Sequence, residues 1–87
     1  MIALDLNFEA ILRIPPAHRL LAVRSRSRAG IVRGTFWDHE EYDDKGLLVA
    51  RYESFAEIGP RSNERRSGWK KYDLFGRLVA EGDLPAS

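Results

Sequence analysis

The sequence predicts a mainly β domain of the α+β class, an antiparallel meander of about five strands with a short N-terminal helix. Its 87 residues are enough for one small domain. From His18 onward, β-branched and aromatic residues occur in short segments, separated by turns at Ala29-Gly30, Lys45-Gly46 and Phe75-Gly76. Consecutive strands that are joined by short turns pair antiparallel.

The N-terminal segment, residues 1–16, is predicted to contain the helix. Asn7 is a candidate N-cap for a helix within residues 5–14, and the Pro15-Pro16 pair would end it. A strand over residues 2–6 is the alternative. The apolar residues that recur at helical spacing are Phe8, Ile11 and Leu12.

The antiparallel sheet is predicted to occupy residues 17–87. Residues 59–68, with the sequence GPRSNERRSG, are predicted to form a polar loop. We place the strands near residues 19–28, 31–42, 47–58, 68–73 and 77–83.

The composition is that of a globular protein, with 44% hydrophobic and 31% charged residues. Cysteine is absent, which excludes disulfides, thiolate metal sites and a cysteine nucleophile. No apolar run approaches the roughly 18 residues that span a bilayer, and the acidic Asp5 in a start without basic residues argues against a signal peptide. We therefore expect a cytoplasmic location, no membrane partner and no cofactor.

Charges are grouped by sign along the chain, although the net charge is only +1. Residues 19–33 contain five arginines and no acid, whereas residues 38–44 contain five acids and no Lys or Arg. The sign turns positive again over residues 61–71. The near-neutral total therefore hides separate basic and acidic blocks.

A nine-residue sequence occurs twice, as YDDKGLLVA over residues 42–50 and as YDLFGRLVA over residues 72–80, with six identical positions. Each copy predicts a three-residue hairpin loop with a bulge, in which a type I turn leaves the glycine in the left-handed conformation. Asp43 and Asp73 are placed to accept hydrogen bonds from the amides of their own turns. The repeat therefore specifies a backbone shape.

The hairpin loop also predicts the strand register. A loop of residues 44–46 would place Phe36 opposite Ser54, whereas a register that differs by one residue would place Phe36 opposite Glu53. We prefer the first register because its core face is nearly all apolar. The same rule pairs Tyr42 with Leu48 and Tyr72 with Leu78. The predicted core face collects Val32, Phe36, Tyr42, Leu48, Ala50, Tyr52, Ala56 and Ile58, and an extension through the Ala29-Gly30 turn adds Leu21 and Val23.

The opposite face of the predicted sheet is the candidate interaction surface. Aromatic and Arg residues dominate interfaces energetically, and an open meander leaves edge strands that invite pairing. We therefore expect a non-enzymatic domain for protein–protein contact, either with itself as a homodimer or with another protein. The surface consists of Arg24, Arg26, Arg28, Arg33, Trp37, Arg51, Phe55 and Trp69.

Two alternatives are open for this surface. Arginines with interleaved aromatics resemble in principle a platform for single-stranded RNA or DNA, although the net charge is near zero. In the other alternative, the arginines pair with acids of the same or a neighbouring subunit. Trp37, Trp69 and Phe55 would then pack beneath the helix or the polar loop.

The sequence DHEEYDD, residues 38–44, contains residue types that bind divalent metals or transfer protons. Strand alternation separates His39 and Glu41 from Asp38 and Glu40, so we predict no metal site. No nucleophile elbow, phosphate loop or dinucleotide motif occurs, and we predict no catalytic residues. A pocket lined by His39 and several carboxylates would favour an enzyme.

The hairpin motif resembles the repeats of two families. Y-D-x-x-G-x-L-V-A is similar to the Tyr-Asp repeats of large bacterial shell-forming toxins, and Gly68-Trp69-x-x-Tyr72-Asp73-x-x-Gly76-x-Leu78 is similar to variant MORN-type hairpin units. The two copies here are 30 residues apart, a longer spacing than in those arrays. Two units cannot build a stacked repeat structure, so the resemblance implies the hairpin and no functional residues.

Overall fold

The chain forms one five-stranded antiparallel sheet and a short helix in a computed structural model that describes residues 6–30, 33–61 and 63–85. The strands cross the sheet in the order of the sequence. The predicted mainly β class and the meander are therefore confirmed. The helix is α1 (Phe8–Ile11), and the strands are β1 (Arg19–Arg28), β2 (Arg33–Tyr42), β3 (Leu48–Ile58), β4 (Arg65–Tyr72) and β5 (Leu78–Gly82).

Two predicted segments differ from the observed ones. Residues 65–67 belong to β4 rather than to the polar loop, because the pairing of β3 with β4 continues as far as Ile58 and Arg65. The helix has four residues and is shorter than predicted. Residues 2–5 of the alternative strand, and Val32 of the predicted core face, lie outside the described residues.

Local hydrogen bonds explain both ends of α1. The side chain of Asn7 accepts a hydrogen bond from the Ala10 amide at 3.3 Å, which confirms Asn7 as the N-cap. At the other end, Arg13 has a positive φ of 55°, and the Ile14 amide donates to the Glu9 carbonyl at 2.9 Å. This left-handed residue turns the chain away from the helix axis.

The two copies of the nine-residue repeat form matching hairpins. In the first, Asp43 Oδ1 accepts hydrogen bonds from the amides of Lys45 and Leu47, both at 2.9 Å, and Gly46 has a φ of 80°. In the second, Asp73 accepts the corresponding bonds at 2.8 and 2.9 Å. The predicted turn, with its Asp acceptor and left-handed Gly, is confirmed.

Beyond the turn, each hairpin also contains a bulge in its second strand that sequence reasoning missed. Tyr42 pairs with Leu48, as predicted, but Glu41 pairs with Ala50. Val49 is therefore an extra residue in β3 that has no partner in β2. Because side chains alternate between faces, this residue shifts the pairing of every position further from the turn.

The register predicted for β2 and β3 is consequently wrong beyond the turn. Phe36 lies opposite Phe55 and not opposite Ser54. The second hairpin behaves in the same way, since Tyr72 pairs with Leu78 as predicted and Val79 is then the extra residue.

The sheet has one covered face and one open face. The N-terminal segment with α1 packs on the covered face, where Leu12, Ala50 and Tyr52 form the buried apolar cluster. No described segment lies over the open face, and the molecule is only 19 Å thick along its shortest axis. By strand alternation and side-chain contacts, the covered face includes Trp37, His39, Glu41, Ala50, Tyr52, Ser54 and Trp69, and the open face includes Leu21, Arg24, Arg26, Phe36, Asp38, Glu40, Arg51, Glu53, Phe55 and Tyr72.

The composition of the two faces corrects the predicted core. Ala50 and Tyr52 are buried as expected, but Phe36 lies on the open face. Leu21 and Val23, also predicted for the core, are 52% and 53% exposed. The side chains of β2 therefore point to the opposite faces from those predicted, and the polar residues His39 and Glu41 lie on the covered face.

Candidate functional site

The open face holds the β1 and β3 members of the predicted interaction surface. These are Arg24, Arg26, Arg28, Arg51 and Phe55. The β2 and β4 members, Arg33, Trp37 and Trp69, alternate onto the covered face, so the prediction that all of these residues share one surface is wrong. For Arg33 and Trp37 the reason is the extra residue Val49, because it reverses β2 relative to β3. Trp69 lies on the covered face because it pairs with Ser54 of β3.

The two tryptophans pack inside, as the alternative hypothesis anticipated. The ring of Trp37 lies 5.4 Å from that of Phe8 in α1, and Trp69 packs against the buried cluster, 6.3 Å from the ring of Tyr52. Phe55 does not follow this hypothesis, since its face is the open one. The aromatic residues available for contact are therefore a different set from the one predicted.

An aromatic pair occupies the centre of the open face. Phe36 and Phe55 lie directly opposite each other on β2 and β3, and both are half-buried. The Phe55 ring covers Gly68, where a Cβ would stand 3.2 Å from the ring. The Arg26 guanidinium carbon is 5.8 Å from the centroid of the Phe36 ring. Sequence reasoning missed Phe36 as a surface residue because the preferred register placed it in the core.

Carboxylates on β2 pair with three arginines of the neighbouring strands on this face. Arg24 Nε donates to Asp38 Oδ2 at 3.1 Å, and Arg26 Nη2 is 3.5 Å from the same oxygen. On the other side, Arg51 Nε is 3.5 Å from Glu40 Oε2. Such exposed pairs are worth about 0–1 kcal/mol each, so their main effect is to orient side chains and balance charge.

A shallow groove of about 600 Å³ crosses the open face and is lined by charged side chains and Tyr72. Its walls include Arg24, Asp38, Glu40, Arg51 and Glu53. Burial, together with the neighbouring Glu53, raises the pKa of the Tyr72 hydroxyl. This hydroxyl is therefore neutral near pH 7 and can donate a hydrogen bond.

His39 also borders this groove, but its ring lies on the other side of the sheet. The imidazole stacks on Phe8 with ring centroids 4.5 Å apart and is only 6% exposed. Burial lowers the pKa of His39, and its Nδ1 has no hydrogen-bond partner among the described residues. The carboxylates of the groove and this imidazole therefore do not converge. Within residues 6–30, 33–61 and 63–85, no group of three or more His, Cys, Asp or Glu residues could hold a metal ion.

A buried carboxylate anchors the covered face. Glu41 is 3% exposed, and its Oε1 accepts a hydrogen bond from the Tyr52 hydroxyl at 2.7 Å. Its Oε2 lies 2.5 Å from His18 Nδ1. Burial alone would raise the pKa of Glu41, but the hydrogen bonds from Tyr52 and His18 and the charge of Lys71 bring it below the usual value. This network joins His18, which directly precedes β1, to β2 and β3.

No family model, curated protein or solved structure matches the chain. The described part of the chain contains no helix with the length and apolar character needed to cross a membrane. Function is therefore inferred from the geometry and charge of the open face and of the strands that border it.

Proposed function

We propose that this chain is a small non-enzymatic domain for protein–protein contact and that the open face is its binding surface. The Phe36–Phe55 pair carries the proposal, because two large aromatic side chains lie at the centre of a face that no described segment covers. Aromatic and Arg residues near the centre of a surface patch supply most of the binding energy in protein interfaces. Arg26, which lies over the Phe36 ring, completes such a patch.

The charges around the aromatic pair support a protein partner. Asp38 is shared by two arginines, and Glu40 is paired with Arg51. A surface with both signs at fixed positions can match a partner that carries the opposite pattern, which gives specificity. A nucleic-acid platform depends on cations that are free to neutralise phosphates, and the pairing with carboxylates works against that use.

Self-association is the first form of contact that we expect, as a homodimer or a larger assembly. Among the strands of the described residues, the outer strands β1 and β5 each pair with only one neighbour, so each leaves a row of backbone donors and acceptors unpaired there. The absence of cysteine agrees with a cytoplasmic location for this activity.

Binding of single-stranded RNA or DNA is the second candidate function. Arg28 lies on the same face as the aromatic pair, next to the Arg26–Phe36 contact. Bases could stack on the rings while the arginines contact the phosphates. Such binding would weaken steeply as salt is added.

Cross-linking in an extract of the source cells, followed by mass spectrometry, tests the protein-contact proposal. We compare the unmodified chain with Phe36→Ser and with the control Leu47→Ser, which changes a 62% exposed residue in the first hairpin. The expected result is a defined set of cross-linked proteins, other than copies of the chain itself, that Phe36→Ser loses and Leu47→Ser keeps. An identical set for all three chains would contradict the proposal. Circular dichroism checks that both variants are folded.

Fluorescence anisotropy with labelled single-stranded RNA and DNA tests the second candidate. The protein-contact proposal predicts no binding at physiological ionic strength. Binding that falls steeply with salt and is lost in both Arg24→Ala and Arg26→Ala would overturn the proposal in favour of nucleic acid.

A further inference from the structure

The two outer strands of the sheet have free edges of very different composition. β1 is ten residues long and β5 is five, and within the described part of the chain each is paired on one side only. A free edge is a template on which another strand can pair. Which strand it accepts depends on the side chains that the added strand brings next to it.

One row of paired residues begins and ends with exposed leucine. Following the pairing across the sheet, Leu21 on β1 lies opposite Glu40, then come Arg51 and Tyr72, and the row ends at Leu78 on β5. Leu21 is 52% exposed and Leu78 is 48% exposed. The two edges therefore each present a leucine side chain on the open face in the same row of paired residues.

A second row begins and ends with opposite charges. Arg24 on β1 lies opposite Asp38, followed by Glu53 and Lys70, and the row ends at Glu81 on β5. Both end residues are exposed. A copy placed beside the first along these rows would bring Glu81 next to Arg24, which favours the contact.

Because both edge strands contain a bulge, the separation between the leucine row and the charged row is the same on β1 and on β5. β1 has an extra residue at Val23, and β5 has one at Val79. Leucine and charge are consequently three positions apart on each strand, Leu21 to Arg24 and Leu78 to Glu81. A bulge on one edge alone would displace one of the two contacts.

We infer that copies of this chain associate head to tail, with the edge of β5 in one copy paired to the edge of β1 in the next. In an antiparallel meander the first and fifth strands run in the same direction, so this pairing is parallel and keeps the open faces of both copies on one side. Leu78 then lies beside Leu21, and Glu81 lies beside Arg24. Because the contact joins two different surfaces, an assembly of any length has a free β1 edge at one end and a free β5 edge at the other, so further copies can add.

Symmetric pairings of the same edges are less favourable. Pairing β1 with β1 would bring together two strands that each carry Arg24, Arg26 and Arg28, and like charges across strands are destabilising. Pairing β5 with β5 would bury no opposite charge. The inference rests on the self-association part of the proposed function, but it uses the outer strands β1 and β5 and not the central Phe36–Phe55 pair, so the two can fail separately.

Sedimentation velocity with edge-blocked chains tests this assembly. Lysine on an edge strand opposes pairing, so Leu78→Lys blocks β5 and Leu21→Lys blocks β1, while Leu47→Lys is the control for adding charge at an exposed leucine. Because the contact is small, we work from about 10 µM to about 1 mM chain. The unmodified chain and the control are expected to exceed the mass of a dimer as concentration rises.

The blocked chains give the decisive result. Each alone is expected to stay monomeric, whereas an equal mixture forms a one-to-one dimer and nothing larger, because only one β5 edge and one β1 edge remain free. The inference is overturned if the unmodified chain stays monomeric, if its mass stops at the dimer, or if the Leu21→Lys chain still dimerises by itself. Circular dichroism spectra that match the unmodified chain show that the variants are folded.

A charge variant provides an independent check that leaves both leucines in place. Glu81→Lys is expected to weaken association about three- to tenfold, as for other exposed charge pairs at an interface. Glu57→Lys, which changes an acid on β3 away from both edges, is expected to leave association unchanged. Equal effects of the two variants would contradict the inference. The Phe36→Ser chain is expected to assemble normally, which separates this contact from binding through the Phe36–Phe55 pair.

Discussion

The hydroxyl of Tyr52 donates a hydrogen bond to Glu41 across the β3–β2 pair at 2.7 Å, and both residues are almost completely buried. His18, which directly precedes β1, contacts the second carboxylate oxygen, so the network joins the start of β1 to β2 and β3. A carboxylate can occupy an inner face only where its oxygens are satisfied in this way.

Tyr52→Phe is expected to lower the free energy of unfolding by about 1–3 kcal/mol, because Glu41 keeps its burial and loses a hydrogen bond. Urea denaturation at pH 7 measures the change. Tyr42→Phe is the matched control, since the Tyr42 hydroxyl donates to Glu40 at 2.8 Å on the open face, where water can replace it. Equal losses in the two variants would contradict the role assigned to the buried bond.

Stability is expected to fall in acid through Glu41. The pKa of Glu41 is lower in the folded chain than the ordinary value of 4.5, so the unfolded chain takes up the proton first as the pH decreases. The contribution of Glu41 is therefore complete above about pH 4.5 and is lost as the pH falls through the folded pKa. Urea denaturation between pH 6 and pH 3, within the range where carboxylates titrate, should show a flatter profile for Glu41→Gln. Glu53→Gln, an exposed acid of the open face, should keep the original profile.

Gly82→Ala is expected to displace the indole of Trp69 and to cost about 1–3 kcal/mol, as overpacking does elsewhere. A Cβ at Gly82 would lie 2.7 to 2.8 Å from three indole atoms, and Trp69 itself packs against the buried cluster. Tryptophan fluorescence and urea denaturation measure the two effects. Gly46→Ala strains a left-handed turn but meets no atom within 4 Å, so it should leave the fluorescence unchanged.

Asp43→Ala is expected to lower the thermal midpoint, because two turn amides lose their acceptor. Asp44→Ala changes the next residue, which is exposed and accepts no side-chain hydrogen bond among the described residues, and should leave the midpoint nearly unchanged. Thermal denaturation followed by circular dichroism compares the two. A larger effect of Asp44→Ala would contradict the turn assigned to the repeat.

The features that the sequence predicts correctly are local ones. The meander, the Asn7 cap and both hairpin turns depend on residues within a few positions of each other, and each is present. The register beyond the turn depends on one extra residue, Val49. Hydrophobic patterning does not distinguish a bulge at Val49 from an unbroken strand. An unbroken strand would create a nearly apolar face, and this favoured the wrong register.

Of the residues predicted to share one surface, those on β1 and β3 lie on the open face and those on β2 and β4 lie on the covered face. His39 and Glu41 are inside because Phe8, His18 and Tyr52 surround them, and these partners come from distant parts of the sequence. Alternation rules assign polar residues to solvent unless such partners are known. The aromatic centre of the open face was therefore recognised only in part, through Phe55.

Because of the bulge at Val49, the number of residues in the strand decides which side chains lie on the covered face and which lie on the open face. Most substitutions in a β domain adjust how well a face is packed, but one residue more or less beside either hairpin exchanges the faces themselves. In this chain an insertion or deletion at Val49 would exchange the two faces of the neighbouring strand, whereas a substitution of Val49 would alter only the local packing. Insertions and deletions at the repeat, rather than point substitutions, are the changes to which the identity of its binding surface is most sensitive.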